Sequence, residues 1–345
     1  MAVTMKDIAR DLHVSVVTVS KVIRNNPDIS EETRQRVLKR IRELNYHPNL
    51  AARALVTGKT YSIGLIVPDL VHPFFTELAM GLSNTLRSRN YSLLISSSME
   101  DPQLERQDIE TFLSRGVDAI IVASTQSTVE SFRRIEERQT PYVLIDRCFA
   151  GLTANFVGID DVAAGRLATQ HLVSVGCRRI AHISGTAIST ALGRLEGYTQ
   201  AVAANHLEQF TGYVVQARTG DVEADRSGAE AMSKLLTLKT RPDGVFCYND
   251  PVAIGAIDAI LDAGLRVPED VAVIGCANLH YDGWLRVALS SVDQRSSTIG
   301  ERAAKLALSL IESRNPPKPR SILIDVEVVA RASTQRKPIC EKAPP

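Results

Sequence analysis

The sequence predicts a small all-α helix-turn-helix domain followed by an α/β body of two lobes, and three observations carry that prediction. Helix caps and apolar residues at helical spacing recur through the first 47 residues. From Tyr61 onward, short apolar runs alternate with amphipathic stretches. The stretch 61–345 is also too long for one open sheet around a single core, so two lobes are expected.

Thr4 is placed to cap a first helix through its hydroxyl, with Asp7 in the first turn where the helix dipole favours negative charge. Ser15 is placed to cap a second. Ile8, Ala9, Leu12, Val19, Val22 and Ile23 share one apolar face, leaving Val16, Val17, Ser20, Lys21 and Arg24 opposite. The β-branched content of Val14–Val19 also fits a strand. The next segment outweighs that: Ser30-Glu-Glu-Thr caps a longer third helix with Val37, Leu38, Ile41 and Leu44 at helical spacing. Three helices with short turns over residues 1–47 make a unit of the kind that reads double-stranded DNA.

Charge agrees. Residues 1–60 carry eleven Lys and Arg against six Asp and Glu, a net of +5, while the rest carries 29 against 33, a net of −4. A basic head on an acidic body suits phosphate contact. Residues 48–60 then read as a hinge, with Pro48 placed to start a helix and Gly58 to end it. That helix is shorter than the roughly 12 residues that hold alone in water, so it is expected to fold only against a partner. Leu50 and Leu55 have no private core; either they meet a second copy, or Leu55 wedges into a minor-groove step, or the segment is a plain linker.

In the body, Ile63–Val67, Ser92–Ile95, Ala119–Val122 and Tyr142–Ile145 read as strands, with helices such as Phe75–Arg87, Gln103–Arg115 and Ser131–Arg138 between them. A second set comprises Arg179–Ile183, Tyr213–Gln216, Gly244–Cys247 and Val271–Ile274, with Asp161–Ser174 and Pro251–Ala263 as helices. This is the patterning of parallel sheets covered on both faces. Ligands on such sheets sit at the carboxyl ends of strands. That rule selects Asp69, Phe74, Phe75, Asp146 and Arg147 in the first set. In the second it selects Thr190–Arg194, Val222, Asn249, Asp250 and Cys276–Asn278.

Several classes are disfavoured. No apolar run of eighteen and no signal peptide is evident, so a cytoplasmic protein without membrane contact is expected. Five cysteines without a Cys-x-x-Cys argue against a disulfide framework or a zinc site. There is no dinucleotide or phosphate-loop motif and no nucleophile elbow, and the histidines are scattered, so no catalytic residue, metal or cofactor is expected. The alternative is a cytoplasmic sugar-binding or sugar-modifying protein without operator function.

The runs TMKDIARDLHVSVVTVSKVI, DISEETRQRV, LNYHPNLAARAL and SIGLIVPDLVHPFFTEL resemble the lactose/galactose repressor family (LacI/GalR), and the likeness extends from about residue 3 to residue 334. It implies a homodimeric repressor that reads a pseudo-palindromic operator, its second helix in the major groove and its paired hinge helices opening the minor groove. By position, the resemblance makes Val16, Val17 and Lys21 base readers, Thr18 and Ser20 phosphate contacts and Leu55 the wedge. Thr4, Ser15 and Asn25 complete the expected DNA-binding set. Lys21 stands where Arg is frequent and cannot fork onto a guanine as Arg does. The resemblance also implies a body like the periplasmic sugar-binding proteins, with strands near 160, 291 and 322 passing between lobes. The expected lobes are 61–160 with 292–321 and 161–291 with 322–334, followed by a disordered tail over 335–345.

The resemblance adds Asp160 and Gln294 to a small-molecule effector site in the interlobe cleft. One departure bears on the ligand: Ala277 stands where sugar-responsive relatives carry an aspartate. With fewer carboxylates beside Arg147 and Arg194, an anionic effector such as a sugar acid or sugar phosphate is expected. A neutral sugar with Asn278 turned inward is the competing expectation. An effector closing the lobes would change the spacing of the two hinge segments.

Overall fold

The computed structural model describes residues 3–23, 26–46, 54, 58–126, 128–149, 151–217, 223–313, 315 and 317–336. The chain divides into two units, 1–60 and 61–345. In the first, α1 (Met5–Asp11), α2 (Val16–Ile23) and α3 (Glu31–Glu43) enclose Ile8, Ala9, Val19, Val22, Val37 and Tyr46. The helix caps form as predicted. Thr4 Oγ1 accepts from Asp7 N at 3.3 Å while Asp7 returns a carboxylate to Thr4 N at 3.0 Å. Ser15 Oγ accepts from Thr18 N at 3.0 Å and Ser30 Oγ from Thr33 N at 3.4 Å. These caps and the shared core override the strand propensity of residues 14–19. The expected hinge helix, with Pro48, Leu50 and Leu55, lies outside the described residues, as does Asn25.

The second unit holds two sheets of six strands among the described residues. The first contains β1 (Ser62–Val67), β2 (Ser92–Ser97), β3 (Ala119–Val122), β4 (Tyr142–Ile145), β5 (Phe156–Ile159) and β11 (Ser321–Ile324), in the order β11-β5-β4-β3-β1-β2. The second contains β6 (Ile180–Ser184), β7 (Val214–Gln216), β8 (Gly244–Cys247), β9 (Ala272–Ala277), β10 (Ser290–Asp293) and β12 (Glu327–Val329), in the order β12-β10-β9-β8-β6-β7. Pairing is parallel except between β10 and β12. Alternate residues of β1 enter different cores, Ile63, Leu65 and Val67 on one face and Ile66 on the other. Such two-sided burial is why these strands read as continuous apolar runs.

Helices α4 (Pro73–Arg87), α5 (Pro102–Arg115), α6 (Glu130–Glu137) and α11 (Ser296–Glu312) belong to the first lobe, and α7 (Asp161–Ser174), α8 (Ser189–Ala204), α9 (Ala224–Leu236) and α10 (Asp250–Asp262) to the second. The α4 and α11 backbones touch through glycine: a Cβ on Gly81 would lie 2.1 Å from Ser297 O, and one on Gly300 2.1 Å from Leu78 O.

Two expectations need correction. Ser321–Ile324 pair in continuous register with Phe156–Ile159, so residues 322–324 belong to the first lobe, and β10 keeps residues 292 and 293 in the second. The crossings therefore fall after Ile159, Asp293 and Ile324. Nor does disorder begin at 335. Ser333 Oγ donates to Val273 O at 2.7 Å, Gln335 N to Arg331 O at 3.2 Å and Arg336 Nε to Pro268 O at 3.0 Å. Residues 337–345 lie outside the described residues.

Candidate functional site

The strand ends of the two lobes face each other across a cleft. Its lining includes Asp69, Phe74, Phe75, Asp146, Arg147, Arg194, Asn249, Cys276 and Gln294, all expected from the sequence, together with His72, Glu100 and Tyr248. Across it, Cys148 N donates to Ser189 Oγ at 3.1 Å, and His280 N donates to Glu77 Oε1 at 3.3 Å.

On the first-lobe side, Asp69 accepts from Val71 N at 2.6 Å and His72 N at 3.2 Å, which shapes the turn between β1 and α4. His72 caps α4, its Nδ1 accepting from Phe74 N at 3.2 Å. Burial, and then Arg194 and Arg147, push the His72 imidazole down to about 4, so it is neutral near pH 7. Phe74 and Phe75 present an edge-to-face pair, ring centroids 5.1 Å apart. Asp146 follows β4 in the left-handed region at φ 60, and burial raises its carboxyl against the pull of Arg147 and Arg194. Arg147 gives Nη1 and Nη2 to the Glu100 carboxylate at 2.9 and 2.5 Å.

On the second-lobe side, Arg194 Nε donates to Asp161 Oδ1 at 2.9 Å and Nη1 to Tyr248 O at 2.8 Å, with the guanidinium 4.7 Å over the Tyr248 ring. Burial pushes the Asp161 carboxyl up to about 7, and Arg194 offsets part of that push. Asn249 caps α10 by accepting from Val252 N at 3.0 Å, which turns its Nδ2 toward His72 Nε2 at 3.2 Å. With Nδ1 of neutral His72 accepting, Nε2 carries the proton, so two N–H groups face one space. Gln294 Nε2 donates to Cys276 O at 3.4 Å. Arg147 Nε and Gln294 Oε1 are buried with no hydrogen-bond partner among the described residues.

Three of the expected effector residues that the structure describes do not line this cleft. Asp160 is exposed and caps α7 by accepting from Ala163 N at 2.9 Å. Thr190 stands behind Tyr248, its hydroxyl 2.7 Å from the phenol. Ala277 is buried in β9 with its N–H donated to Ser291 Oγ at 3.0 Å. Val222 lies outside the described residues. Asp250 is stapled to the end of β9 through Ser291 Oγ at 2.6 Å and Leu279 N at 3.2 Å. The charge expectation also changes. Glu100 and Asp161 supply both arginines with counter-charge, and Asn278 Oδ1 is taken by Arg331 Nη2 at 2.6 Å. Tyr248 was within reach of the strand-end rule, but Glu100 was not, because β2 runs on past Ile95 to Ser97.

In the head, α2 exposes Val16 (38 %) and Val17 (62 %), two apolar side chains on a helix otherwise anchored by Val19 and Val22. Thr18 Oγ1 and Ser15 Oγ are 2.8 Å apart, and Lys21 Nζ lies 3.4 Å from Asp28 Oδ2.

A helix-turn-helix head and a two-lobed α/β body with a polar cleft define a DNA-binding regulator with a ligand-binding domain. Residues 4–49 match the model for bacterial regulatory proteins of the lacI family, and residues 169–334 that for a periplasmic binding protein-like domain. The chain is 32% identical over 335 residues to the HTH-type transcriptional repressor PurR of Mannheimia succiniciproducens, covering 96% of this chain and 99% of the relative. It is 35% identical over 311 residues to the ribose operon repressor of Escherichia coli (strain K12), covering 89% and 93%. Among solved structures, it is similar to the transcriptional regulator CelR in complex with cellobiose (TM-score 0.72, 27% identity, 96% and 99% covered). It also shares the fold of the lac repressor dimer bound to operator and the anti-inducer ONPF (TM-score 0.84, 22% identity, 97% and 99% covered). The chain belongs to the lacI family of bacterial regulatory proteins.

Proposed function

We propose that this protein is a cytoplasmic, non-enzymatic repressor that binds a pseudo-palindromic operator as a homodimer and is controlled by a small sugar-like effector in the interlobe cleft. The observation that carries the effector reading is the set of unmatched polar groups there. Among the described residues Arg147 Nε–H has no hydrogen-bond acceptor, Asp146 Oδ2 standing 3.9 Å away as an ion-pair partner, and Gln294 Oε1 has no donor. A hydroxyl answers both needs. A ligand oxygen would also relieve the facing N–H groups of His72 and Asn249, and Phe74 and Phe75 suit an apolar sugar face. This favours an uncharged, polyhydroxylated effector over the anionic one expected from Ala277.

On the operator, α2 is assigned to the major groove, with Val16, Val17 and Lys21 at base edges, and Leu55 to the minor groove. Val17 reads apolar surface such as a thymine methyl, and Lys21 must leave Asp28 to reach a base. The dimer reading draws support from Trp284, which is 89 % exposed beside partly buried Leu285 and Val287.

The test is operator selection from random duplexes, followed by release with a panel of matched neutral sugars and sugar acids. A palindromic sequence bound with steep salt dependence, and released or tightened by a sugar, supports the reading. Sugar binding without sequence-specific DNA binding would instead establish the alternative, a sugar-binding protein without operator function.

A further inference from the structure

The turn after β2 is unusual. Met99 and Glu100 are consecutive non-glycine residues in the left-handed region, at φ 51 and 56, and Met99 points into solvent. Non-glycine residues adopt this backbone where surrounding contacts hold them in it. Here Ser98 N donates to Val67 O at 2.9 Å, Glu100 N to Pro68 O at 3.2 Å and Asp101 N to Ser98 O at 2.8 Å, and Asp101 then caps α5. The result is a fixed turn whose one product inside the cleft is the Glu100 carboxylate, forked onto both terminal nitrogens of Arg147.

We propose that Glu100 is a specificity determinant: a built-in counter-ion that fills the Arg147 fork, makes the cleft reject carboxylate and phosphate ligands, and leaves for an uncharged oxygen only Nε–H, which is 3.9 Å from Asp146 Oδ2 and not hydrogen-bonded among the described residues. Arg binds anions tightly by presenting two parallel N–H groups to one carboxylate or phosphate. That geometry is already used. An incoming anion would have to expel Glu100 from a partner whose side chain is 8% exposed, or sit beside a like charge. Arg194 offers no substitute, since Asp161 holds its Nε and Tyr248 O its Nη1. The inference rests on reading the cleft as the effector site and names what that site excludes.

The test compares the full chain with Glu100→Gln and Glu100→Ala by titration calorimetry. Inorganic phosphate is the probe, with chloride at equal ionic strength as the reference. The wild type should show no saturable phosphate binding, and both variants should gain at least about tenfold in phosphate affinity. Adding Arg147→Gln to either variant should abolish the gain. Saturable phosphate binding by the wild type would overturn the proposal without any variant. Folded variants that gain nothing, or a gain that survives Arg147→Gln, would overturn it as well. Operator binding and its response to neutral sugars are read separately, so a failure of the functional reading would show there and not in the phosphate titration.

Discussion

Arg194 ties the second lobe's part of the cleft together through Asp161, Tyr248 O and the Tyr248 ring. Arg194→Ala should abolish the effector response in a gel shift while operator binding persists; an unchanged response would remove the cleft from the mechanism. The variant should also lose about 3–5 kcal/mol of stability, because a buried carboxylate is left without its partner. His72 makes a prediction with pH. Its folded value of about 4 lies below the ordinary 6.5. The unfolded chain therefore takes the proton first, so the stabilisation is complete above pH 6.5 and is lost as pH falls through 4. The charged groups felt by the ring are Arg194, Arg147 and Glu77. His72→Asn retains a capping acceptor and removes the titration, so its melting temperature should fall less than the wild type's between pH 6.5 and 4. Parallel curves would refute this. At this scale the sequence showed the arginines but not their partners, because Glu100 comes from the turn after β2 and Asp161 from the first turn of α7, and no periodicity links either to its arginine.

The elements were more legible. Caps at Thr4, Ser15 and Ser30 and the apolar runs of β1, β3, β4 and β8 stand out because each is local or buried on both faces. The third crossing was misplaced for a physical reason. Ser321–Ile324 are the edge strand of the first sheet, alternately exposed and half-buried, and only their pairing with β5 decides which lobe they join. Close helix contact gives the test at this scale. Gly81→Ala would drive a Cβ against Ser297 O and push α4 from α11. Overpacking of this kind costs about 1–3 kcal/mol, which should appear as a lowered melting temperature of the body. An unchanged one would mean that the helix pair can slide.

For the whole molecule, the proposed dimer is the quantity to measure. Trp284 is exposed on the second lobe, next in sequence to a groove lined by half-buried Ile254, Leu261, Leu285 and Val287 together with Asp258, Asp262 and Arg286. Trp284→Glu should give monomers in sedimentation. Operator affinity should fall by about 10²–10⁴, the gain that two linked modules normally supply. A variant that remains dimeric would place the interface elsewhere. The order in which the chain is made adds a consequence. The head's described core needs nothing beyond Tyr46, whereas the first lobe waits for α11 and β11 and the second for β12, Ser333 and Thr334. At ribosomal speed this leaves an interval on the order of tens of seconds between the two events. A chain abandoned within it would combine a finished DNA-facing head with two half-built lobes unable to hear any effector, and their open sheet edges would mark it for removal.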